Sequence, residues 1–279
     1  MSPKHFFRDK SVLITGASSG IGRTLALQLG AAGAQLTLTA RRAELLAALA
    51  DELVSLTAVR PVISTCDVTR DGDLERAVAD AVSAFSGIDV VFANAGFGVA
   101  GYFDRLELAD YRRQFETNVF GVLRTLKACR AEIGRRRGNL VIIGSVAGYC
   151  ASPGNSPYSM SKFALRALAN SITPELAQAG MRVTLISPGF VASNIRKVDN
   201  SGQFHPDAPD TIPGWLVVET ERACQRILRA VSAGRREAII TGHGKFLVAI
   251  ERFAPWLLRA AGRRMAARGR GHRPGADAR

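Results

Sequence analysis

Short, almost unbroken apolar runs alternate along this chain with longer stretches in which apolar residues recur three and four positions apart. Runs such as Asp89-Val90-Val91-Phe92-Ala93 and Leu140-Val141-Ile142-Ile143 lack the polar alternation of a half-exposed strand. They fit strands covered on both faces. Strands are predicted over Ser11 to Thr15, Gln35 to Ala40, Pro61 to Cys66, Ile88 to Ala93, Asn139 to Gly144, Arg182 to Ser187 and Glu237 to Thr241. Helical spacing falls between them, over Ile21 to Ala32, Ala43 to Val54, Asp71 to Phe85, Leu108 to Ile133, Ser156 to Ala179 and Glu219 to Val231. Strand–helix repetition of this kind predicts an α/β fold with a parallel sheet, right-handed crossovers and ligands at the strands' carboxyl ends. No linker interrupts residues 1–250, and 279 residues suit a single large core.

Composition narrows the class. No run approaches the roughly 18 apolar residues of a spanning helix. The stretch Met1 to Lys10 lacks the apolar core and cleavage site of a signal peptide. Cys66, Cys129, Cys150 and Cys224 are scattered, and neither they nor the four histidines make a metal pattern. The chain therefore reads as cytoplasmic, without structural disulfides or a metal.

The net charge of +13 is unevenly spread. From Arg259 to Arg279 seven arginines face one acid, Asp277, so 7 − 1 = +6 lies in the last segment. A nucleic-acid partner is not expected, because no base-stacking aromatics are interleaved with these arginines. The cluster Arg135-Arg136-Arg137 falls where a helix should end, and cations there interact favourably with the helix dipole.

The first strand runs into Thr15-Gly16-Ala17-Ser18-Ser19-Gly20-Ile21-Gly22. Gly16 permits a sharp exit, and Gly20 and Gly22 let the backbone approach a pyrophosphate at a helix N-terminus. The spacing is Gly-x-x-x-Gly-x-Gly, not the Gly-x-Gly-x-x-Gly fingerprint. At the end of the second strand an acid would bind the ribose 2′-hydroxyl of NAD, but Ala40 is followed by Arg41 and Arg42. Two guanidinium groups suit a 2′-phosphate, so NADP is favoured and NAD is less expected.

The reacting groups follow the fifth strand. Ser145 ends it, and Tyr158 and Lys162 share a face of the next helix, four residues apart. A phenol has a pKa near 10, and acid/base work near neutrality needs it lowered by about 3 units, or roughly 4 kcal/mol. A neighbouring ammonium acts in that direction. A serine hydroxyl at the strand end can hydrogen-bond a substrate oxygen.

With these motifs the chain resembles the short-chain dehydrogenase/reductase family, over about residues 9–242. The resemblance rests on the glycine turn, Asp67-Val68, Asn94-Ala95-Gly96, Asn118, Ser145, Tyr158-x-x-x-Lys162 and Pro188-Gly189. It implies a Rossmann-type, doubly wound parallel seven-stranded sheet in one domain. It implies hydride exchange between NADP(H) and a carbonyl compound or alcohol, with Tyr158 as acid/base. Ser18 and Ile21 would belong to the cofactor cradle. Asp67 and Val68 would contact the adenine, and Asn94, Ala95 and Gly96 would support the cofactor and central strand. Asn118 would kink the long helix and hold a water that links Lys162 to solvent. Lys162 would also grip the nicotinamide ribose. Pro188, Gly189 and Val191 would line the nicotinamide side. Ser193 stands where the family often has threonine and still offers a hydroxyl. The family's basic residue within the turn is replaced by Ser19, which leaves Arg41, with Arg42, to select the phosphate. Homo-oligomers through the two long helices are also implied.

Phe97, Gly98, Val146 to Ser152 and a lid from Phe190 to about Trp215 are expected to line the pocket. The lid carries Pro206, Pro209, Pro213, Phe204, Ile212 and Trp215; with Tyr149 and Cys150 it favours a bulky, fairly apolar substrate, unless the aromatics only anchor the loop. Beyond the catalytic unit, 1–242, lies a basic amphipathic extension, 243–267, and a tail, 268–279, expected to lack structure. The extension sets Phe246, Phe253 and Trp256 among Lys245, Arg252 and Arg259. It either packs on the domain or a partner subunit, or lies on an anionic membrane surface. A catalytically silent NADP-binding regulator would keep the turn but has no need of Ser145, Tyr158 and Lys162.

Overall fold

Seven strands form one sheet in the order β3-β2-β1-β4-β5-β6-β7, and every pairing is parallel. They are β1 (Ser11–Thr15), β2 (Gln35–Ala40), β3 (Val62–Thr65), β4 (Val90–Ala93), β5 (Asn139–Ile143), β6 (Arg182–Ser187) and β7 (Glu237–Ile239). In this computed structural model residues 2–193, 195, 198–205, 207 and 212–271 are described, the last four as backbone.

Both faces of the sheet are covered. Strand side chains alternate between faces, so Val12 and Ile14 join one core while Leu13 between them joins the other. The first core takes Leu25 and Leu29 from α2 (Gly20–Ala31), Leu49 from α3 (Ala43–Thr57) and Ile227 from α8 (Thr220–Ser232). The second takes Ala81 from α4 (Asp73–Phe85), Leu126 from α6 (Gly121–Arg136) and Leu165 from α7 (Ser156–Ala177). This double burial is why the strand runs carry no polar alternation. The expected Rossmann-type sheet is the observed one.

The chain winds outward from β1 through β2 to β3, then crosses back so that β4 pairs with the other edge of β1. Register puts Val12 opposite both Leu36 and Val90. The gap between the carboxyl ends of β1 and β4 is the topological switch point, where such sheets open a crevice.

Several boundaries differ from expectation. The long helix is not continuous: α5 (Leu108–Phe115) passes through a π-helical turn, Glu116–Phe120, before α6. One extra residue per turn there points Asn118 inward, and such bulges cluster at functional sites. A short helix, α1 (Pro3–Phe7), precedes β1; Ser2 Oγ accepts from His5 N at 3.3 Å, and Phe7 is buried. Five residues are too few to show a period. The arginine cluster is structural in part: Arg136 donates to the Ser86 carbonyl at 2.8 Å, closing the end of α4.

The C-terminal extension folds as two helices, α9 (Gly242–Phe253) and α10 (Pro255–Gly271), hinged at Ala254 with Pro255 opening the second. Helical backbone thus reaches Gly271, into the stretch from Arg268 that was expected to lack structure; residues 272–279 lie outside the described residues. Among the described residues no helix is long and apolar enough to cross a membrane.

Candidate active site

The glycine turn follows β1 at the switch point. Gly16 has φ +68°, and a Cβ there would stand 2.8 Å from the Ala95 Cα. A Cβ on Gly22 would stand 2.3 Å from the Gly16 carbonyl oxygen. Left-handed backbone and contact this close admit only glycine. Asn94 locks the turn: its Nδ2 donates to the carbonyls of Thr15 at 2.8 Å and Gly16 at 3.2 Å. In return Thr15 Oγ1 accepts from the amides of Asn94 at 3.0 Å and Ala95 at 3.1 Å.

Helix α2 begins directly after the turn, and its N-cap residue, Ser19, makes no side-chain cap hydrogen bond. No side-chain cap from Ser19 covers the amides of Gly20, Ile21 and Gly22 at the positive end of the helix dipole. This cradle fits a pyrophosphate. Ser193 borders it, since a Cβ on Gly20 would lie 3.3 Å from the Ser193 Cβ.

The two arginines after β2 part company. Arg42 reaches over the turn, its Nη2 donating to Ser18 Oγ at 3.0 Å and Ser19 Oγ at 3.2 Å, while Arg41 is exposed. Arg42 is thus the one of the pair that contacts the turn. It sets a guanidinium beside the turn, on both Ser18 and Ser19.

Asp67 and Val68 lie at the end of β3. Asp67 Oδ1 accepts from Thr69 N at 3.0 Å and Thr69 Oγ1 at 2.7 Å, which shapes the turn. Val68 is buried against the start of α6, where a Cβ on Gly121 would come within 2.6 Å of its Cγ2.

Asn118 is buried in the π turn, and its bonds organise the catalytic side. Its Oδ1 accepts from Phe97 N at 3.1 Å, and its Nδ2 donates to Phe97 O at 3.0 Å and Ser161 Oγ at 3.3 Å. Ser161 Oγ donates in turn to the Tyr158 carbonyl at 2.7 Å. The loop after β4 is thereby tied to the turn of α7 that carries Tyr158. Gly98, in that loop, has its Cβ direction 3.7 Å from Tyr158 Cδ2. Gln114, one turn before Asn118, adds bonds to Val99 N and to Phe97 O. Sequence reasoning missed Gln114 and Ser161; the four-residue spacing of Gln114 and Asn118 was the available signal.

Ser145 caps a 3-10 turn, Val146–Gly148, and its Oγ accepts from Ala147 N at 3.1 Å. One lone pair is thus engaged, and the hydroxyl proton remains for donation. The turn packs on α7, where a Cβ on Gly148 would lie 2.7 Å from the Lys162 carbonyl oxygen. Lys162 is buried, its Nζ donating to the Ile143 carbonyl at 2.9 Å and lying 5.6 Å from the centre of the Tyr158 ring. Burial lowers its pKa from 10.5 to about 8. Its ammonium is therefore retained at neutral pH, in surroundings that screen it weakly.

The far wall is the segment after β6. Pro188 O accepts from Val146 N at 2.8 Å, which joins this wall to the Ser145 turn. Gly189 is pressed by α9: a Cβ there would lie 2.3 Å from both His243 Nε2 and Thr241 Oγ1. His243 Nε2 accepts from Phe190 N at 2.9 Å, and the two rings stack at 5.3 Å. Burial lowers the His243 pKa, which favours the neutral ring this bond requires. The division expected after residue 242 passes through these contacts, and His243 was not foreseen.

Part of the expected pocket lining is placed elsewhere. Tyr149 is buried with its hydroxyl on Glu237 and 3.3 Å from Ser187 Oγ, and Arg166 lies 4.1 Å over its ring. It borders a separate cavity of about 670 Å³ beside β7, lined also by Arg235, Lys245 and Arg252. That cavity is charged and holds none of Ser145, Tyr158 or Lys162. In the lid, Trp215 is 83% exposed, which neither anchors the loop nor closes a pocket. Pro206 and Pro209 lie outside the described residues. Burial raises the thiols of Cys66 and Cys150 to about 11, and of Cys129 and Cys224 to about 12, which keeps them unreactive.

A parallel doubly wound sheet with a crevice at its switch point is an architecture that binds nucleotides in many proteins. Residues 10–203 match the family described as short chain dehydrogenase, and the chain belongs to the short-chain dehydrogenase/reductase family. It is 40% identical over 194 residues to an uncharacterized oxidoreductase of Myxococcus xanthus, covering 68% of this chain and 76% of that one. It is 33% identical over 196 residues to the mouse dehydrogenase/reductase SDR family member 7B, covering 69% of this chain. The chain spans 61% of the mouse relative and 60% of its cattle counterpart. Among solved structures, an alcohol dehydrogenase from Thermococcus sibiricus complexed with 5-hydroxy-NADP shares 27% identity at a TM-score of 0.73, covering 82% of this chain and 95% of that one. A Burkholderia phymatum short chain dehydrogenase/reductase in complex with NAD has the same fold, at a TM-score of 0.79 over 90% of this chain and 95% of that one, with 22% identity.

Burying the Lys162 ammonium costs stability: a pKa lowered from 10.5 to about 8 corresponds to about 3 kcal/mol at neutral pH. Lys162→Met removes that cost and forfeits about 1 kcal/mol for the bond to Ile143 O. Calorimetry at pH 7 should show a melting temperature raised by a few degrees, with turnover lost. In the wild type the unfolded chain binds the extra proton between pH 8 and 10.5, so its stability rises there and the gap narrows.

Proposed function

We propose that this chain is an NADPH-dependent carbonyl reductase, Tyr158 serving as the proton donor to a ketone or aldehyde. The observation that carries the reading is the Lys162 ammonium, buried within 5.6 Å of the Tyr158 ring centre. A cation so placed favours the phenolate and lowers the cost of proton release. Ser145, its lone pair occupied by Ala147 N–H, donates to the substrate oxygen. Tyr158 donates to the same oxygen and transfers its proton as negative charge develops. The nicotinamide, when bound, supplies the hydride.

Oriented donors at a fixed position contribute most of the acceleration that the protein adds. Asn118, through Phe97 and Ser161, keeps Tyr158 and the facing loop in register. The cradle of Gly16, Ser18, Gly20, Ile21 and Gly22 would hold the pyrophosphate. Asp67, Val68 and Asn94 to Gly96 would bound the adenosine side, and Pro188, Gly189, Val191 and Ser193 the nicotinamide side. Arg42 supports the NADP preference: serine hydroxyls are weak partners, and a 2′-phosphate offers the guanidinium a stronger one. Preference for NADPH favours reduction as the working direction. We also read the chain as cytoplasmic and homo-oligomeric, with its C-terminal helices as a peripheral contact surface.

The test is NADPH oxidation, followed by absorbance, against a panel of ketones and aldehydes. Tyr158→Phe should lose turnover by about 10²–10⁴-fold with NADPH binding retained; an unchanged rate, or a wild type that binds neither nicotinamide cofactor, would overturn the reading. Wild-type turnover should fall as pH rises through about 8, where Lys162 loses its charge. Arg42→Ala should weaken NADPH binding by about 10–100-fold and leave NADH binding nearly unchanged; equal effects on both would assign the guanidinium a structural role.

A further inference from the structure

The α9–α10 hairpin turns its largest apolar side chains to solvent. Phe246 is 66% exposed, Phe253 79% and Trp256 62%, and Leu257 and Met265 are exposed as well. The pattern is periodic. Phe246, Ala249 and Phe253 fall on one face of α9, and Leu257, Ala261 and Met265 on one face of α10. Inward, α9 buries Gly244 against the Val146 side chain, where a Cβ would stand at 2.6 Å. The aromatic face is therefore the one the domain leaves uncovered.

Charge identifies what covers it. Residues 242–267 hold Lys245, Arg252, Arg259, Arg263 and Arg264 against one acid, Glu251, so 5 − 1 = +4. Over 242–279 the count is nine basic residues against Glu251 and Asp277, 9 − 2 = +7. A second copy docking face to face would bring two such surfaces together with one acid on each, Glu251, against five cations. An anionic lipid surface answers both features, taking aromatic side chains at the headgroup boundary and arginines at its phosphates.

We propose that the α9–α10 hairpin docks this protein on an anionic lipid bilayer, Phe253, Trp256 and Leu257 entering the headgroup–acyl boundary. On the side opposite to solvent, α10 packs on the loop that follows the Ser145 turn. Pro153, in the loop that follows the Ser145 turn, has ring carbons 3.8 Å from the Cβ direction of Gly262 in α10. Docking therefore holds that loop near the bilayer, and the substrate class this fits is an apolar carbonyl compound dissolved in the membrane. This last step rests on the reductase reading; the docking itself does not.

The experiment uses the full chain with no cofactor or substrate. Co-sedimentation is measured with phosphatidylcholine vesicles containing about one-third phosphatidylserine, and with pure phosphatidylcholine vesicles. Binding to the anionic vesicles is expected to be at least about ten-fold tighter, and to weaken as salt is raised. Phe253→Ser/Trp256→Ser/Leu257→Ser, a triple change at exposed positions, should bind at least about ten-fold more weakly. The same variant should keep the wild-type rate on a water-soluble ketone, which shows that it folds. In a Trp215→Phe background, Trp256 emission should shift to the blue on vesicle addition. Absence of wild-type binding, or equal binding by the triple variant, would overturn the proposal. So would a dimer that the triple change dissociates while vesicles are ignored, which assigns the face to a second copy. A protein that binds vesicles yet reduces no carbonyl compound leaves the docking intact and removes only the reductase reading.

Discussion

The close approach of two backbone segments at the carboxyl ends of β1 and β4 is the constraint on which the site depends. Parallel neighbours that send their chains to opposite faces must part there, which strands ladder groups that would otherwise be paired. Thr15 and Asn94 satisfy those groups reciprocally: a hydroxyl accepts from two amides, and a side-chain amide donates to two carbonyls. The bonds draw Gly16 and Gly22 so close to Asn94 and Ala95 that no Cβ fits. The turn is then tightly held, and its helix opens without a side-chain cap, as an anion-binding helix start requires.

The catalytic side follows another logic, in which stability is surrendered for charge. A buried ammonium with one carbonyl partner is costly, and nothing in the sheet requires it. Lys162 is tolerated because α7 is held independently, through Ser161 to Asn118 and through the Ser145 turn against its backbone. The π turn belongs to the same economy of positions. It interrupts a helix that would otherwise run on, and in exchange turns a carboxamide inward to bridge Phe97 and Ser161.

Most of the sheet was legible in the sequence because double burial writes a strand as an uninterrupted apolar run. The run from Leu140 to Ile143 has no helical competitor of adequate length, and β5 forms there. Motif residues were legible as types: Ser145, Tyr158 and Lys162 fall where the topology brings strand end and helix together. Partners were less so. Arg42 could not be ranked over Arg41, because which guanidinium reaches Ser18 depends on how the chain leaves β2 for α3. Tyr149 read as a pocket residue by adjacency to Ser145, yet the 3-10 turn rotates it toward Glu237 on β7. His243 lies 53 residues from Phe190, and no local pattern announces a bond over that separation.

That bond changes how the C-terminal helices should be regarded. An appendage that ended the chain without entering the core could be lost at little cost. Here Thr241, His243 and Gly244 brace the Pro188–Val191 wall and Val146 together, so the first turn of α9 holds two sides of the crevice in one register. The polar beginning of the extension is committed to the site, and its aromatic continuation faces away from it. One helix, α9, thus connects the Pro188–Val191 wall to an outward apolar surface.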